Sequence, residues 1–327
     1  MIQNLKIGLA MIALAVSSLP SGLQAAESHV DSKLPAYKTQ SGISGNLNSI
    51  GSDTLNNLMT FWAEEFRKIY PNVNIQIEGK GSSTAPPALI EGTAQLGPMS
   101  RKMKSEERTK FFQKYGNFPL EVPVAIDALA VFVNKDNPIK SLTFEQVDAI
   151  FSATRKRGGK EIKTWGDLGL TGEWATKPIS KYGRNSASGT YGFFKELVLS
   201  NGDYAGDVKE QPGSASVVQG IEKDLGGIGY SGIGYTTPGV RALPIADKGA
   251  PVEPNYRNSA AQLTSGKGYP IARFLYVYTN KPKSGGLPPL IHEFFLFVLS
   301  KDGQKIVEKD GYFPMTDAQV VDYRGTL

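Results

Sequence analysis

The chain has 327 residues, of which 40% are hydrophobic and 20% are charged, a composition typical of globular proteins rather than of disordered or fibrous ones. Its 36 basic and 31 acidic residues give a formal charge of +5. No dense basic run is interleaved with aromatic residues, so nucleic-acid binding is disfavoured. The lack of cysteine excludes disulfides, thiolate metal sites and a lipid anchor on an N-terminal cysteine.

Residues 1–25 have the pattern of a secretory signal. Lys6 precedes the apolar stretch Ile7 to Val16, which is shorter than the ~20 apolar residues needed to span a bilayer. Small and polar residues follow, as they do before a signal cleavage site. An uncleaved anchor helix is the alternative, and the early return to polar residues disfavours it.

Cleavage after Ala25 or Ala26 fits this pattern and would leave a mature chain that begins with a polar segment. Residues 26–42 are predicted to form a flexible leader. An exported chain with no lipid anchor needs an outer wall to retain it, so the predicted compartment is the periplasm.

Strands and helices alternate along the remaining chain. Alternating apolar residues predict a strand at 73–77, apolar runs predict buried strands at 122–134 and 269–278, and a short strand at 46–50 and a glycine-rich strand and turn at 226–235 are also predicted. Apolar residues at helical spacing predict helices at 55–69, around 88–90, at 143–151, around 193–198 and at 290–299. This alternation predicts α/β layers with mostly parallel pairing, in which ligands bind beyond the carboxyl ends of the strands.

Three segments place hydroxyl residues where a strand ends and a helix begins. They are Ser52-Asp53-Thr54, Ser82-Ser83-Thr84 and Ser188-Gly189-Thr190. Helix capping alone accounts for any one of them. The N–H groups at helix starts also bind anions, hydroxyls add donors, and Gly189 allows close approach of the backbone. If the three starts converge in space, they surround a tetrahedral oxyanion with neutral dipoles.

Arg184 lies four residues before Ser188. The planar guanidinium group pairs well with two oxygens of a phosphate group, so this arginine is a candidate anion ligand. A surface salt bridge is the ordinary alternative for a single arginine.

Catalysis has little support in this sequence. The histidines are His29, in the leader, and His292, within an apolar helix. There is no cluster of metal-ligating residues, no GxxxxGK[ST] phosphate loop and no G-x-S-x-G elbow. The sequence therefore predicts neither a cofactor nor an enzyme. A secreted phosphatase with Ser188 as nucleophile is the less favoured alternative, because no base accompanies that serine.

These motifs resemble the substrate-binding protein of bacterial high-affinity phosphate ABC transporters. The resemblance extends from about Ile43 to Met315 and rests on the segments GSDTL, EGKGSST, SRKM, DALAVFVNKDNP, GRNSASGT, GGIGY and GYFPM. It implies a type II periplasmic binding protein of the α/β class, with mixed, mostly parallel sheets in two lobes joined by a two-crossing hinge. The implied lobes are 43–124 with 269–327, and 125–268.

The resemblance also implies a ligand set. The anion ligands carried over are Thr54, the backbone of Leu55, Ser82, Arg184, Ser188, Gly189 and Thr190. Well-known members of the family have an aspartate after the second helix, which accepts the proton of phosphate, whereas this chain has Ser100 followed by Arg101. One hypothesis is that Asp127, at the first crossing, supplies the acceptor. The alternative is an ion pair between Asp127 and Arg101 or Arg273.

The expected function is capture of inorganic phosphate between the lobes and its delivery to the membrane permease of an ABC importer, by a monomer with no nucleic-acid partner. Because a serine hydroxyl both donates and accepts hydrogen bonds, Ser100 leaves sulfate or molybdate open as ligands. A scaffold or adhesion role on the same fold is a further alternative.

Overall fold

The computed structural model describes residues 28–327, and the predicted signal segment lies outside the described residues. The strands are β1 (Gly45–Ile50), β2 (Val73–Glu78), β3 (Gly97–Met99), β4 (Leu120–Asn134), β5 (Leu142–Thr143), β6 (Ser180–Arg184), β7 (Lys209–Gln211), β8 (Gly227–Gly232), β9 (Val240–Ala242), β10 (Ile245–Ala246) and β11 (Ala272–Thr279). The helices are α1 (Asn56–Ile69), α2 (Ala85–Glu91), α3 (Ser105–Tyr115), α4 (Phe144–Phe151), α5 (Gly189–Leu197), α6 (Ser214–Glu222), α7 (Tyr256–Ser265), α8 (Pro289–Val298), α9 (Lys301–Lys309) and α10 (Asp317–Thr326). Short 3₁₀ turns occupy Asp53–Leu55, Ser82–Thr84, Trp165–Leu168, Gly172–Trp174 and Ile233–Tyr235. Within 28–327, no helix combines the length and the apolar character needed to cross a membrane.

The main sheet has the strand order β3-β11-β4-β8-β6-β7, and β9 also pairs with β4. Two smaller sheets are the parallel pairs β1-β2 and β5-β10. Strand β6 is parallel to β7 and β8, whereas the four pairings that involve β4 or β11 are antiparallel. The α/β class with mixed sheets is therefore confirmed. The pair β4–β11 is antiparallel because β4 leaves one half of the molecule and β11 returns beside it in the opposite direction.

The two largest hydrophobic cores lie along opposite halves of β4 and β11. The first core contains Trp62 and Phe66 of α1 packed against Phe294 of α8. The second core contains Phe151 of α4 and Phe194 of α5, together with much of the segment between β4 and β11. We call the parts of the chain around these cores lobe 1 and lobe 2.

Two strands carry the chain between the lobes. On β4, the residues up to Ile126 pack in the first core, and Ala128 begins the second core. On β11, Ala272 still belongs to the second core, and Leu275 is back in the first. The crossings thus fall where Asp127 and Arg273 stand opposite each other in the register of the two strands. The predicted two-crossing hinge is confirmed, and the residue limits of the lobes given above stay predictions.

The described part of the predicted leader packs against lobe 1. Residues 28–42 contain neither helix nor strand, yet Leu34 is only 3% exposed within the first core. The Tyr37 hydroxyl donates to Glu293 at 2.8 Å and lies 2.6 Å from the Tyr70 hydroxyl. Apolar and aromatic side chains of this polar segment thus pack against lobe 1, and the flexibility of the leader stays a prediction.

A buried carboxyl group at the end of α9 provides a test of pH-dependent stability. Burial raises the pKa of Asp310 from its ordinary 3.8 to about 7, and its Oδ2 has no hydrogen-bond partner within residues 28–327. The folded state therefore holds a proton that the unfolded state has lost, so this group's contribution to stability falls as pH rises from 3.8 to about 7.

The variant Asp310→Asn is neutral at every pH and should nearly match the wild type in melting temperature at ~pH 4, then exceed it by a growing margin up to ~pH 8. Thermal melts at the two pH values test this, with Asp322→Asn on the exposed face of α10 as the control. A difference of equal size at both pH values would contradict the prediction.

Candidate functional site

Four buried hydroxyl groups meet between the lobes, and we call them the hydroxyl cluster. Thr54 follows β1, Ser82 follows β2, Ser100 follows β3 and Thr190 lies in the first turn of α5. The Oγ atoms of Ser82 and Ser100 are 3.2 Å apart, and Ser100 Oγ is 3.5 Å from Thr190 Oγ1. Thr190 Oγ1 is in turn 2.9 Å from Thr54 Oγ1. The three predicted helix starts therefore converge, with Thr190 from lobe 2 and the other three residues from lobe 1.

Glycine allows the two lobes to approach this closely. A Cβ atom on Gly189 would lie 2.3 Å from Ser82 Oγ and 2.7 Å from Ser100 Oγ. On the opposite side, Gly81 has φ of +114°, and a Cβ there would lie 2.6 Å from the carbonyl oxygen of Ala187. No other residue fits at either position without moving the lobes apart.

The protein's own N–H groups orient most of the hydroxyls at the site. Ser188 Oγ accepts from the N–H groups of Thr190 at 3.1 Å and Tyr191 at 3.4 Å, so Ser188 is also the N-cap of α5. Ser82 Oγ accepts from the Ser100 N–H at 3.0 Å, and Thr190 Oγ1 accepts from Arg273 Nη2 at 3.0 Å. Because their lone pairs serve these donors, the hydroxyl protons of Ser82, Ser188 and Thr190 are available to an acceptor between the lobes.

Ser100 differs from these three hydroxyls. In the described chain, no N–H group donates to its Oγ, whose neighbours are the hydroxyls of Ser82 and Thr190. It can therefore accept a hydrogen bond from a ligand as well as donate one. Leu55 has its side chain fully buried in the first core, in agreement with a role limited to its backbone.

Arg184 is buried, with 1% exposure, at the end of β6. Its Nη1 donates to Ser214 Oγ at 2.7 Å, and its Nη2 lies 3.2 Å from Asp53 Oδ2 in lobe 1. Its Nε has no partner among residues 28–327 and remains a donor that an anion can use. Burial lowers the pKa of Arg184, and the Asp53 charge opposes that shift. The arginine is thus held by a buried ion pair between the lobes rather than by a surface salt bridge.

Asp127 pairs with Arg273, which was the alternative to its predicted role as a phosphate acceptor. The Asp127 carboxylate is fully buried, and its Oδ2 accepts from Arg273 Nε at 2.9 Å and lies 2.8 Å from Nη2. Its Oδ1 accepts from the Ile233 N–H at 3.0 Å. The protein provides a donor to each oxygen, which favours the ion-pair alternative, and the acceptor role of Asp127 stays a prediction. Arg101, the other partner considered, pairs with Glu107.

Arg273 is a site residue that the sequence motifs did not reveal. Besides Asp127, it donates to the Ser100 carbonyl oxygen at 2.8 Å and to Thr190 Oγ1, so it contacts both lobes of the hydroxyl cluster. The available signal was a charged residue in an otherwise apolar strand, which requires a buried partner.

Comparison with known proteins agrees with this geometry. A family model described as a PBP superfamily domain matches residues 36–302. The chain is 58% identical over 314 residues to the phosphate-binding protein PstS of Pseudomonas aeruginosa, which covers 95% of this chain and 96% of that protein. The chain belongs to the PstS family of phosphate-binding proteins. The PstS protein of Bacillus subtilis is 30% identical over 286 residues, covering 86% of this chain and 85% of that protein.

Comparison with a solved structure agrees with this assignment of the family. A candidate phosphate ABC transporter substrate-binding protein with bound phosphate from Clostridium perfringens aligns with a TM-score of 0.69 and 26% identity. The alignment covers 83% of this chain and all of that one. The predicted periplasmic-binding-protein fold is therefore confirmed. PstS proteins are solute-binding proteins without enzymatic activity, which confirms that this chain is a binding protein and not an enzyme.

Proposed function

We propose that this protein binds inorganic phosphate between its lobes and delivers it to the membrane permease of an ABC importer. The observation that carries the proposal is the convergence of hydroxyl donors from both lobes, with the buried Arg184 paired to Asp53, the residue before Thr54. The names of its relatives, which are phosphate-binding proteins, agree with it. We further propose that the chain is exported to the periplasm and acts there as a monomer, without nucleic acid.

The site is suited to replacing the water around a tetrahedral anion. Burying an oxyanion is unfavourable unless each lost hydrogen bond to water is replaced. The hydroxyls of Thr54, Ser82, Ser188 and Thr190 and the free Nε–H of Arg184 provide such donors. Because they come from different lobes, an anion that contacts all of them stabilises the closed arrangement of the two lobes.

Ligand-dependent stability tests this function. A micromolar ligand at a thousand times its Kd should raise the free energy of unfolding by about 4 kcal/mol. We expect phosphate to stabilise the protein by this amount, which is measured as a rise in melting temperature. Calorimetry should give one phosphate site per chain. The absence of both heat and stabilisation with phosphate would reject the proposed function.

Ser100 also supports a second ligand class, fully deprotonated oxyanions such as sulfate. A carboxylate accepts only, and it therefore favours a ligand that carries a proton, whereas a serine hydroxyl can donate to a ligand that carries none. Thermal shifts with phosphate, sulfate, arsenate and molybdate separate the two classes, because a sulfate-selective protein would be stabilised most by sulfate.

The variant Ser100→Asp should bind sulfate at least roughly tenfold more weakly than the wild type does. Sulfate carries no proton that it could donate to the introduced carboxylate, so the two negative charges repel each other. Phosphate, which brings a proton, should lose much less affinity. Calorimetry with both anions measures the ratio, and Ser100→Asn controls for size without charge. Equal losses for phosphate and sulfate would contradict the role assigned to this position.

A further inference from the structure

A carboxylate of lobe 1 reaches into lobe 2 beside the hydroxyl cluster. Asp53 lies in the turn between β1 and α1, and its side chain is 22% exposed. Its Oδ2 accepts a hydrogen bond of 2.7 Å from the N–H of Ser214, the first residue of α6, and lies 3.2 Å from Arg184 Nη2. The predicted ligand from the segment Ser52-Asp53-Thr54 is Thr54, and no binding role was predicted for Asp53. In this arrangement of the lobes, the negative charge of Asp53 lies beside Arg184, the candidate ligand-binding arginine.

Lobe 2 holds Asp53 at both its side chain and its backbone. Ser214 Oγ accepts from Arg184 Nη1 at 2.7 Å, so Arg184 and the start of α6 form one rigid receptor for the carboxylate. The Tyr235 hydroxyl donates to the Asp53 carbonyl oxygen at 3.0 Å. Gly213 leaves room for this contact, because a Cβ there would lie 3.1 Å from Asp53 Oδ1. Four groups of lobe 2 thus fit around one residue of lobe 1.

The other charged and titratable groups near Arg184 do not neutralise it. Those with the largest effect on its pKa are Tyr230, Tyr235 and Arg273. The cavity that Arg184 lines also contains the Lys195–Asp203 ion pair and the exposed Glu210. Burial raises the pKa of both tyrosines, so they stay uncharged, and the charge of Arg273 is paired with Asp127. Within residues 28–327, Asp53 is the carboxylate that forms an ion pair with Arg184.

We propose that Asp53 is a specificity-determining residue of the phosphate site, in which it serves as the counter-ion of Arg184 across the closed lobes and sets the net charge that a bound anion meets. The inference rests on the proposed function. With Asp53 paired to Arg184 and Asp127 paired to Arg273, the two arginines bring no net positive charge. The anion is held by directed hydrogen bonds, and a second negative charge on it gains less than it would beside an unpaired arginine.

The variant Asp53→Asn tests this charge balance, since it keeps the size of the side chain and an oxygen that can accept from Ser214. Calorimetry at low salt measures phosphate and sulfate affinity from about pH 5.5 to about pH 8.5, a range that includes the second ionisation of phosphate. At the acidic end, the phosphate-to-sulfate affinity ratio should fall at least roughly fivefold, because the unpaired Arg184 favours the dianion. The phosphate affinity of the variant should also rise more steeply with pH than that of the wild type.

Two further variants separate charge from structure. Asp53→Glu restores the negative charge and should return the affinity ratio toward the wild-type value. Asp207→Asn removes an exposed carboxylate that pairs with Lys181 of β6 at 2.8 Å and has no contact with Arg184, and it should leave the ratio and the pH profile as in the wild type. A thermal melt confirms that each variant is folded.

A wild-type ratio and pH profile in Asp53→Asn would overturn the inference, and so would an equal loss of affinity for both anions at every pH, which is the result of a merely structural role. These outcomes differ from failure of the proposed function, in which the wild type itself does not bind phosphate.

Discussion

Replacing Arg184 with alanine should weaken phosphate binding by roughly a hundredfold to a thousandfold, the largest loss we expect from any single substitution at the site. Removing one partner of a buried ion pair typically costs about 3–4 kcal/mol or more, since the remaining charge is left without compensation. Here the remaining charge is that of Asp53, whose Oδ2 lies 3.2 Å from Arg184 Nη2. The variant thus loses the guanidinium donors and gains a carboxylate that repels the anion.

A double variant separates these two contributions. Arg184→Ala combined with Asp53→Ala removes the repelling carboxylate and should recover part of the lost affinity, although not the donors of the guanidinium group. Arg184→Lys keeps a positive charge without the planar fork and should give an intermediate affinity. Isothermal titration calorimetry with phosphate measures all three.

The matched control for this series is Arg241→Gln. Arg241 is a partly buried arginine of lobe 2 that donates to the carbonyl oxygens of Asn137 and Ile139, away from the hydroxyl cluster. It should change the melting temperature and leave the phosphate Kd unchanged. If Arg184→Ala bound phosphate within about threefold of the wild type, the ligand role of this arginine would be wrong.

The local features of the site were predictable from sequence because each of them follows from residues that are neighbours in the chain. Hydroxyl residues at a strand end followed by a helix start mark each of the three segments without any tertiary information. The long apolar run Val122–Asn134 likewise marks β4, which spans Leu120–Asn134 in the structure. These features depend on neighbours in the chain, and the structure places them as expected.

The ion pairs at the site depend on contacts that a linear pattern does not contain. Asp53 and Arg184 are separated by 131 positions in the chain, and Ser214 at the start of α6 contacts both of them. Helix α6 itself was not predicted, since its N-cap residue, Gly213, has no capping side chain and the segment is rich in glycine and serine. The partner of Asp127 was predicted only as one of two arginines, because the choice between them is set by the register of β4 and β11.

The direction of strand pairing also required the structure. Alternating strands and helices favour parallel sheets, and β6, β7 and β8 follow that rule. A strand that leaves lobe 1 and a strand that returns to it must run in opposite directions when they pair, as β4 and β11 do. The same pairing places Asp127 opposite Arg273, so the topology of the hinge also supplies a charge pair to the binding site.

Gly189→Ala should block closure of the lobes while leaving each lobe folded. The added methyl group would lie 2.3 Å from Ser82 Oγ and 2.8 Å from Ser82 Cβ, so rotation of the serine hydroxyl alone cannot relieve the overlap. Both contacts reach from lobe 2 to lobe 1, and separation of the lobes removes them. Since overpacking of this kind costs about 1–3 kcal/mol, we expect phosphate affinity to fall roughly tenfold to a hundredfold.

The stability of the unliganded protein distinguishes this mechanism from general damage. Alanine is a better helix former than glycine, and position 189 begins α5, so the melting temperature without phosphate should not decrease. Gly192→Ala on the same helix is the matched control, because a Cβ there meets only Arg101 Cδ at 3.8 Å, an ordinary contact. That variant should bind phosphate as the wild type does.

The degree of closure can be measured directly, because the chain has no native cysteine to compete for labels. Fluorophores on Lys68→Cys in lobe 1 and Glu173→Cys in lobe 2, both at exposed positions, report the distance between the lobes by energy transfer. Saturating phosphate should shorten that distance in the wild type and in Gly192→Ala, and should shorten it less in Gly189→Ala. A Gly189→Ala protein that closes fully and binds phosphate with wild-type affinity would show that the tight glycine contact is not required for binding.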